Sequence, residues 1–348
     1  MGTNKRILAV DIGAGTQDIL LYEEGIPIEN CVKLVLPSAT SLVAGKISGA
    51  TAVGKDIFLA GHVMGGGPLV RALKNHLAAG LHAYASPAAA KTVRDDLREV
   101  EAMGVELADD CPEHCLPIEL RDLDVDRLGR ALSLFDVPLP EITAVAVQDH
   151  GEIIGRSNRK FRFEHWERFL RDGGRLGDLI YKDNVPPYLT RMLAVRHDVP
   201  EAFVMDTGAA AMRGALLDPV VNGRRESGVV AVNVGNQHTL AALLKGDRIW
   251  GIFEHHTGSI TPEKLDDYLR RFVRGEVSNE EVYNDGGHGC AVLPGAPAAE
   301  SFDFIAVTGP QRHKANELGY FAVPYGDMML SGSFGLVAAV KEYLSLTK

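Results

Sequence analysis

Two short segments, far apart in the chain, echo each other. Ala9-Val10-Asp11-Ile12-Gly13-Ala14-Gly15-Thr16 returns as Ala231-Val232-Asn233-Val234-Gly235-Asn236-Gln237-His238-Thr239. Each joins an apolar strand, a short polar residue, a glycine turn and a threonine. A second apolar run follows each, at residues 18–23 and 239–244. Because a strand rather than a helix follows the glycines, these are hairpins. That context excludes a Walker loop and a dinucleotide fingerprint, which both need a helix N-terminus on the phosphate. The repetition implies two structurally related halves.

A tight turn between strands exposes backbone N–H groups that can line an anion site. Glycine serves where the backbone takes positive φ or must approach a phosphate closely. The candidate phosphate-holding residues are therefore Gly13, Gly15 and Thr16 in the first hairpin and Gly235, Asn236 and Thr239 in the second, with Asp18 and Asn233 also expected at the cofactor. Asp11 is placed to organise Mg²⁺, usually through water. At the equivalent position Asn233 is neutral and a poorer ligand for a hard cation, which favours binding over vigorous hydrolysis. His238 lies inside the second hairpin and is a candidate to orient an attacking water or to hydrogen-bond a terminal phosphate. The plain alternative is a pair of ordinary hairpins.

The rest of the chain sets bounds. At 348 residues, 46% hydrophobic and 24% charged, it has material for two domains. A net charge of −10 argues against a nucleic-acid partner, since phosphate contacts need a basic surface. The basic strip at 156–162 reads as a solvated loop. No apolar run approaches the ~20 residues of a membrane span, and no leader is read at the N-terminus. Four cysteines make no disulfide framework, so a reduced cytoplasmic setting is expected. Patterning predicts helices at 69–78, 87–103, 124–135, 207–217, 264–273 and 331–346. It predicts strands at 142–147, 228–234, 248–254 and 302–307. Small residues along 207–217 allow close helix packing. The glycines at 64–68 precede a helix carrying Arg71 and Lys74; they serve either an anion at the helix N-terminus or tight packing.

With these parts in order, the sequence resembles the actin, heat-shock chaperone and sugar-kinase superfamily. Residues 9–18 and 231–239 are similar to its two phosphate hairpins, and 206–217 and 331–340 to its two connecting helices. Residues 305–310, Ile-Ala-Val-Thr-Gly-Pro, are similar to its adenosine strand and turn. The resemblance implies duplicated ribonuclease H-like α/β domains with a nucleotide cleft between them. It implies ATP and Mg²⁺ as cofactors, with Gly309, Pro310 and Gly332 beside the nucleotide. The boundaries expected are 1–200, 201–330 and a C-terminal connecting helix at 331–348. More narrowly, Met64-Gly65-Gly66-Gly67-Pro68, Glu254-His255-His256-Thr257-Gly258 and Asp285-Gly286-Gly287-His288-Gly289 resemble a family labelled "putative pyruvate formate-lyase activating enzyme". Radical chemistry of that kind needs a CxxxCxxC motif, and the clustered cysteines here are only Cys111 and Cys115.

Further candidates stand beside these. Gln148-Asp149-His150-Gly151 ends a strand, and Asp149 could accept a hydroxyl proton from a substrate; a polar loop is the alternative. Glu254, His255 and His288 are candidates for substrate or phosphate contact. Adjacent His255 and His256 point to opposite faces of a strand and cannot easily share one ion; His288 sits among glycines in what reads as a flexible setting. An iron–sulfur cluster on Cys111 and Cys115 is disfavoured but would suit an ATP-driven activator. Three functions stay open: a small-molecule kinase using Asp149 as base, an activator or switch for a protein partner, and a nucleotide-binding regulator without turnover. The acceptor or partner is unidentified, and a homo-oligomer is left open.

Overall fold

The computed structural model describes residues 5–346. Residues 1–4, where no leader is expected, and 347–348, the end of the expected C-terminal segment, lie outside the described residues. The chain opens with an antiparallel meander of β1 (Arg6–Ile12), β2 (Thr16–Glu23) and β3 (Val32–Pro37). Ile7 and Ala9 of β1 enter one core, while Leu8 and Val10 enter another on the opposite face. A strand apolar on both faces belongs in the middle of a covered sheet.

Ser38 accepts a hydrogen bond from the Ser41 amide and starts α1 (Ala39–Ala52), which carries the chain into a smaller layered unit. That unit contains β4 (Ile57–Gly61), α2 (Gly67–Ala78), β5 (Ala83–Ala85), α3 (Pro87–Ala90), α4 (Leu97–Ala102), β6 (Val105–Leu107) and β7 (Leu116–Leu120). Its four strands are parallel, in the order β6-β5-β4-β7. The single helix expected over 87–103 is broken into α3 and α4. Asp96 turns its carboxylate onto the Arg98 amide and caps a fresh helix start. Aspartate at such a position competes with helix continuation by offering the backbone a local hydrogen bond.

α5 (Val125–Ser133) returns the chain to β8 (Ile142–Val147), parallel to β1. After α6 (Asn158–Arg171), β9 (Ile180–Tyr181) and α7 (Thr190–Asp198), β10 (Phe203–Asp206) lies parallel to β8. The first sheet is thus β3-β2-β1-β8-β10-β9. α8 (Thr207–Ala215) and α9 (Pro219–Arg224) lead to a second meander of β11 (Val229–Val234), β12 (His238–Lys245) and β13 (Arg248–His256). α10 (Pro262–Phe272), α11 (Asn279–Asn284) and β14 (Gly289–Val292) follow. β15 (Ile305–Thr308) and β16 (Tyr320–Phe321) then extend the sheet in parallel from β11. β15 is shorter than the run expected at 302–307, because residues 299–302 form a 3-10 turn. The second sheet is β14-β13-β12-β11-β15-β16. The same meander followed by parallel strands occurs in both sheets: this is the duplicated ribonuclease H-like arrangement of the actin-like ATPase fold. No helix among the described residues is long and apolar enough to cross a membrane.

α12 (Ser331–Leu346) crosses α8 between the two sheets, and both helices contribute to the core that the sheets share. The crossing is made backbone to backbone. A Cβ added at Gly214 would overlap the Ser331 carbonyl, and one at Gly335 would overlap the Ala210 carbonyl. Overfilling such a site forces the helices apart, so Gly335→Leu is expected to lower stability by about 1–3 kcal/mol. The check is a lower urea midpoint with an unchanged m-value; a midpoint equal to wild type would contradict the close crossing.

Candidate functional site

Both hairpins close with the same turn bond. The Gly13 amide donates to the Thr16 carbonyl at 2.9 Å, and the Gly235 amide to the His238 carbonyl at 2.9 Å. His238, not Thr239, is therefore the counterpart of Thr16. Thr239 is fully buried, with its hydroxyl 3.0 Å from Thr257 Oγ1. The phosphate contact expected of Thr239 is corrected on that ground, since one residue along a strand reverses the face. The register differs in content as well. Asp11 lies opposite Asp18, whereas Asn233 lies opposite Leu240, so only the first hairpin carries an acidic pair.

The two turns meet face to face: a Cβ on Gly15 would overlap the Asn236 side-chain amide. Between them a cavity of about 80 Å³ brings together Asp11, Gly13, Thr16, Asp18, Asn233, Gly235, Asn236, Gly309, Pro310 and Gly332. Gly309 has φ 104°, and a Cβ there would overlap the Val234 carbonyl, so glycine is required. Gly332 opens α12 against the Asp11 carboxylate, which any larger residue would displace. Asp11 Oδ1 accepts from the Thr207 hydroxyl at 2.5 Å. Desolvation, and next the neighbouring Asp18, push the Asp11 carboxyl up to about 7; desolvation likewise pushes Asp18 up to about 7. Asp18 Oδ1 is buried with no hydrogen-bond partner among the described residues. Two adjacent carboxylates, one with an orphaned oxygen, form a site short of positive charge.

A second cavity, of about 280 Å³, shares Gly13, Ala14, Thr207, Asn233, Gly235 and Asn236 with the first. It runs from the hairpins to the glycines that follow β4, Gly65 to Gly67, and so reaches the C-terminal edge of the small parallel sheet. Open parallel sheets bind ligands at that edge. Arg71 and Lys74 are exposed on α2, so the cavity end of that helix is supplied by the glycines and not by these cations.

Gln148, Asp149 and His150 line the same space. The Asp149 carboxylate accepts from the Gly151 amide at 2.9 Å and the Met192 amide at 3.0 Å, and burial pushes it up to about 6. Glu254, fully buried, accepts from Arg162 Nε at 2.7 Å and from Gln148 Nε2 at 2.6 Å. Arg162 also reaches Asp206 at 2.8 Å and the Asp149 carbonyl at 2.8 Å. It is 3% exposed. The strip at 156–162 is thus not a solvated loop: all but its first two residues lie in α6, and Arg162 ties the first sheet's β10 to the second sheet's β13.

Three histidines converge beside Glu254. His150 Nε2 lies 2.8 Å from His288 Nε2, and the His238 ring packs within 5.6 Å and 4.9 Å of the other two ring centres. Desolvation holds His150 and His288 well below the ordinary imidazole range and pulls His238 down to about 3, so all three are neutral. His288 is not in a flexible setting: it is 1% exposed, and its amide donates to the Glu254 carbonyl at 2.9 Å. His255 is buried on the opposite face of β13, with Nε2 3.2 Å from Asp285 Oδ2. The substrate contact expected of His255 is corrected accordingly. His256 takes the cavity face, as alternation along a strand requires, with its ring 4.9 Å from that of His238. Cys111 and Cys115 sit beside β7 of the small sheet, one exposed and one buried.

Sequence reasoning missed Arg162, the Asp206-Thr207-Gly208 junction and the Arg191–Asp122 pair at 2.7 Å, all of which shape the cleft. The junction carried a signal, an acid and a hydroxyl before a glycine at a strand end. The two arginines carried none.

Residues 64–314 match the family described as "Putative pyruvate format-lyase activating enzyme (DUF1786)", and the chain belongs to that family. No curated protein matches the sequence. Among solved structures, a Bacteroides thetaiotaomicron protein with actin-like ATPase fold and unknown function is similar at 10% identity, over 96% of each chain, with a TM-score of 0.34. MreB5 of Spiroplasma citri bound to AMPPNP is similar at 9% identity, over 99% of each chain, with a TM-score of 0.33. A ROK hexokinase from Thermus thermophilus is similar at 10% identity, over 97% of this chain and 99% of that one, with a TM-score of 0.31.

Proposed function

We propose that this member of the family binds Mg·ATP between its two glycine hairpins and transfers the terminal phosphoryl group to a small polar acceptor, with slow hydrolysis when no acceptor is present. The observation that carries this reading is the pair of adjoining cavities. The smaller holds the glycines and carboxylates suited to a polyphosphate and its cation. The larger continues beyond the hairpins to a polar chamber of about 280 Å³, just below the usual range for ligand pockets.

The donor set fits Mg²⁺, a hard cation bound by carboxylates, waters and phosphate oxygens. Asp11 and Asp18 would hold it, and it would neutralise charge developing on the transferring group. The turn amides other than those of Gly13 and Gly235, which close the hairpins, would cradle the phosphates, and Thr207 fixes the Asp11 carboxylate. Gly309 and Pro310 flank the nucleoside side, and Gly332 keeps the floor open. Asp149 faces the chamber, with its orientation set by two backbone amides and its affinity for protons raised by burial. A carboxylate of that kind suits acceptance of the acceptor's hydroxyl proton. Asn233 favours a second reading, a nucleotide-responsive regulator with little turnover, because it leaves the second hairpin without a carboxylate.

ADP release from Mg·ATP, measured across a panel of small hydroxylated and carboxylated metabolites, tests the first reading. One acceptor class should stimulate release at least about 100-fold, and Asp149→Asn should abolish the stimulation while ATP binding persists. Release that ignores every acceptor and is unchanged by Asp149→Asn would overturn phosphotransfer in favour of the regulator.

A further inference from the structure

We infer that His150, His238 and His288 form a metal site, a tris-histidine set for one Zn²⁺-class ion whose fourth position opens onto the larger cavity. The candidate ligand nitrogens all lie within 4.8 Å of one another. Nitrogens bound tetrahedrally at 2.0–2.1 Å from zinc stand roughly 3.3 Å apart, so small side-chain movements suffice to centre an ion. The three residues come from separate, well-anchored places. His150 lies near the start of the loop after β8, where the Asp149 side chain fixes the turn. His238 is held by the hairpin bond to Gly235, and His288 by its bond to the Glu254 carbonyl. A cluster this fixed is pre-organised.

Hydrogen bonding among the rings does not account for the arrangement. His238 Nε2 and His288 Nδ1 are buried without a hydrogen-bond partner among the described residues. Leaving a buried polar atom unsatisfied costs about 1–3 kcal/mol, and a metal at the point of convergence removes that cost for His238. Imidazoles suit zinc, copper, iron and nickel rather than magnesium, so this site is chemically distinct from the Asp11–Asp18 pair. His150 and His238 line the cavity while His288 lies behind them. An ion held by all three therefore presents its free position to the chamber. Three protein ligands with one open position is the pattern of reactive rather than structural zinc, able to take a water or a substrate oxygen.

The test needs no nucleotide, so its failure is distinguishable from failure of phosphotransfer. Full-length protein is stripped with chelator and then titrated with Zn²⁺ or with Co²⁺, whose tetrahedral complexes absorb in the visible. One equivalent of metal per chain is expected in wild type. Loss of affinity greater than about 100-fold is expected in His238→Ala and in His150→Ala, since even outer-shell changes cost up to that much. His150 and His238 are both half-buried, so either change keeps the test usable if the other variant misfolds; far-ultraviolet circular dichroism checks each. A second group, His62, His197 and Asp198, also lies within metal-ligand reach of one another, so His197→Ala serves as control and should retain the metal. Binding that survives His150→Ala and His238→Ala, or that disappears with His197→Ala, would overturn the assignment, as would failure of both ions to bind wild type.

Discussion

Arg162→Met is expected to lower the unfolding free energy by about 3–5 kcal/mol, the cost of breaking a buried ion pair by removing one partner. Arg162 is 3% exposed, and it satisfies Asp206 at 8% and Glu254 at 0% side-chain exposure. Without the guanidinium, two carboxylates from different sheets remain buried with no counter-charge. The consequences extend to the cleft, because Glu254 also positions Gln148 and anchors the His288 backbone. Adding Glu254→Gln to Arg162→Met removes one stranded charge and should recover part of the loss. Urea unfolding of both variants is the check. A midpoint for Arg162→Met within experimental error of wild type would mean that the sheets are not joined through this residue.

Asp11→Ala has the largest effect expected on chemistry. Mg²⁺-dependent ADP release should fall at least about 100-fold, comparable to removing a group aimed at the reacting charge. The same change relieves the crowding of Asp11 against Asp18 and removes a desolvated carboxylate. It costs only the bond from Thr207, so stability should change by no more than about 1 kcal/mol. Loss of turnover without loss of fold separates a functional carboxylate from a structural one. A variant that unfolds, or one that releases ADP at the wild-type rate, would contradict that role.

Much of this architecture was legible because it is written twice. Two apolar runs broken by glycine can only be hairpins when a β-favouring run follows. Their spacing announced a duplicated fold, and the small residues of α8 announced a close helix packing whose partner proves to be α12. The four-stranded parallel unit was not legible. β5 and β6 have three residues each, too short to show any period, and only the pairing of β5 with β4 and of β6 with β5 makes them strands. The failures at the site have a common physical origin. Thr239 looked equivalent to Thr16 by residue type, but the turn bond to His238 fixes a register one residue away. Arg162 looked like surface charge because its two carboxylate partners are 44 and 92 residues distant. His288 looked mobile among glycines because nothing in the sequence indicates that it packs against His150, 138 residues earlier. Local patterns reveal elements; charge pairing and ring clusters between halves depend on the tertiary fold.

Isothermal titration of the full-length protein with ATP and with ADP, each with Mg²⁺, tests the nucleotide cleft most directly. One nucleotide per chain should bind, and Gly332→Val, which fills the space against Asp11, should eliminate the heat while leaving circular dichroism unchanged. Absence of binding by wild type, or equal binding by Gly332→Val, would contradict the assignment of the two hairpins as a nucleotide clamp.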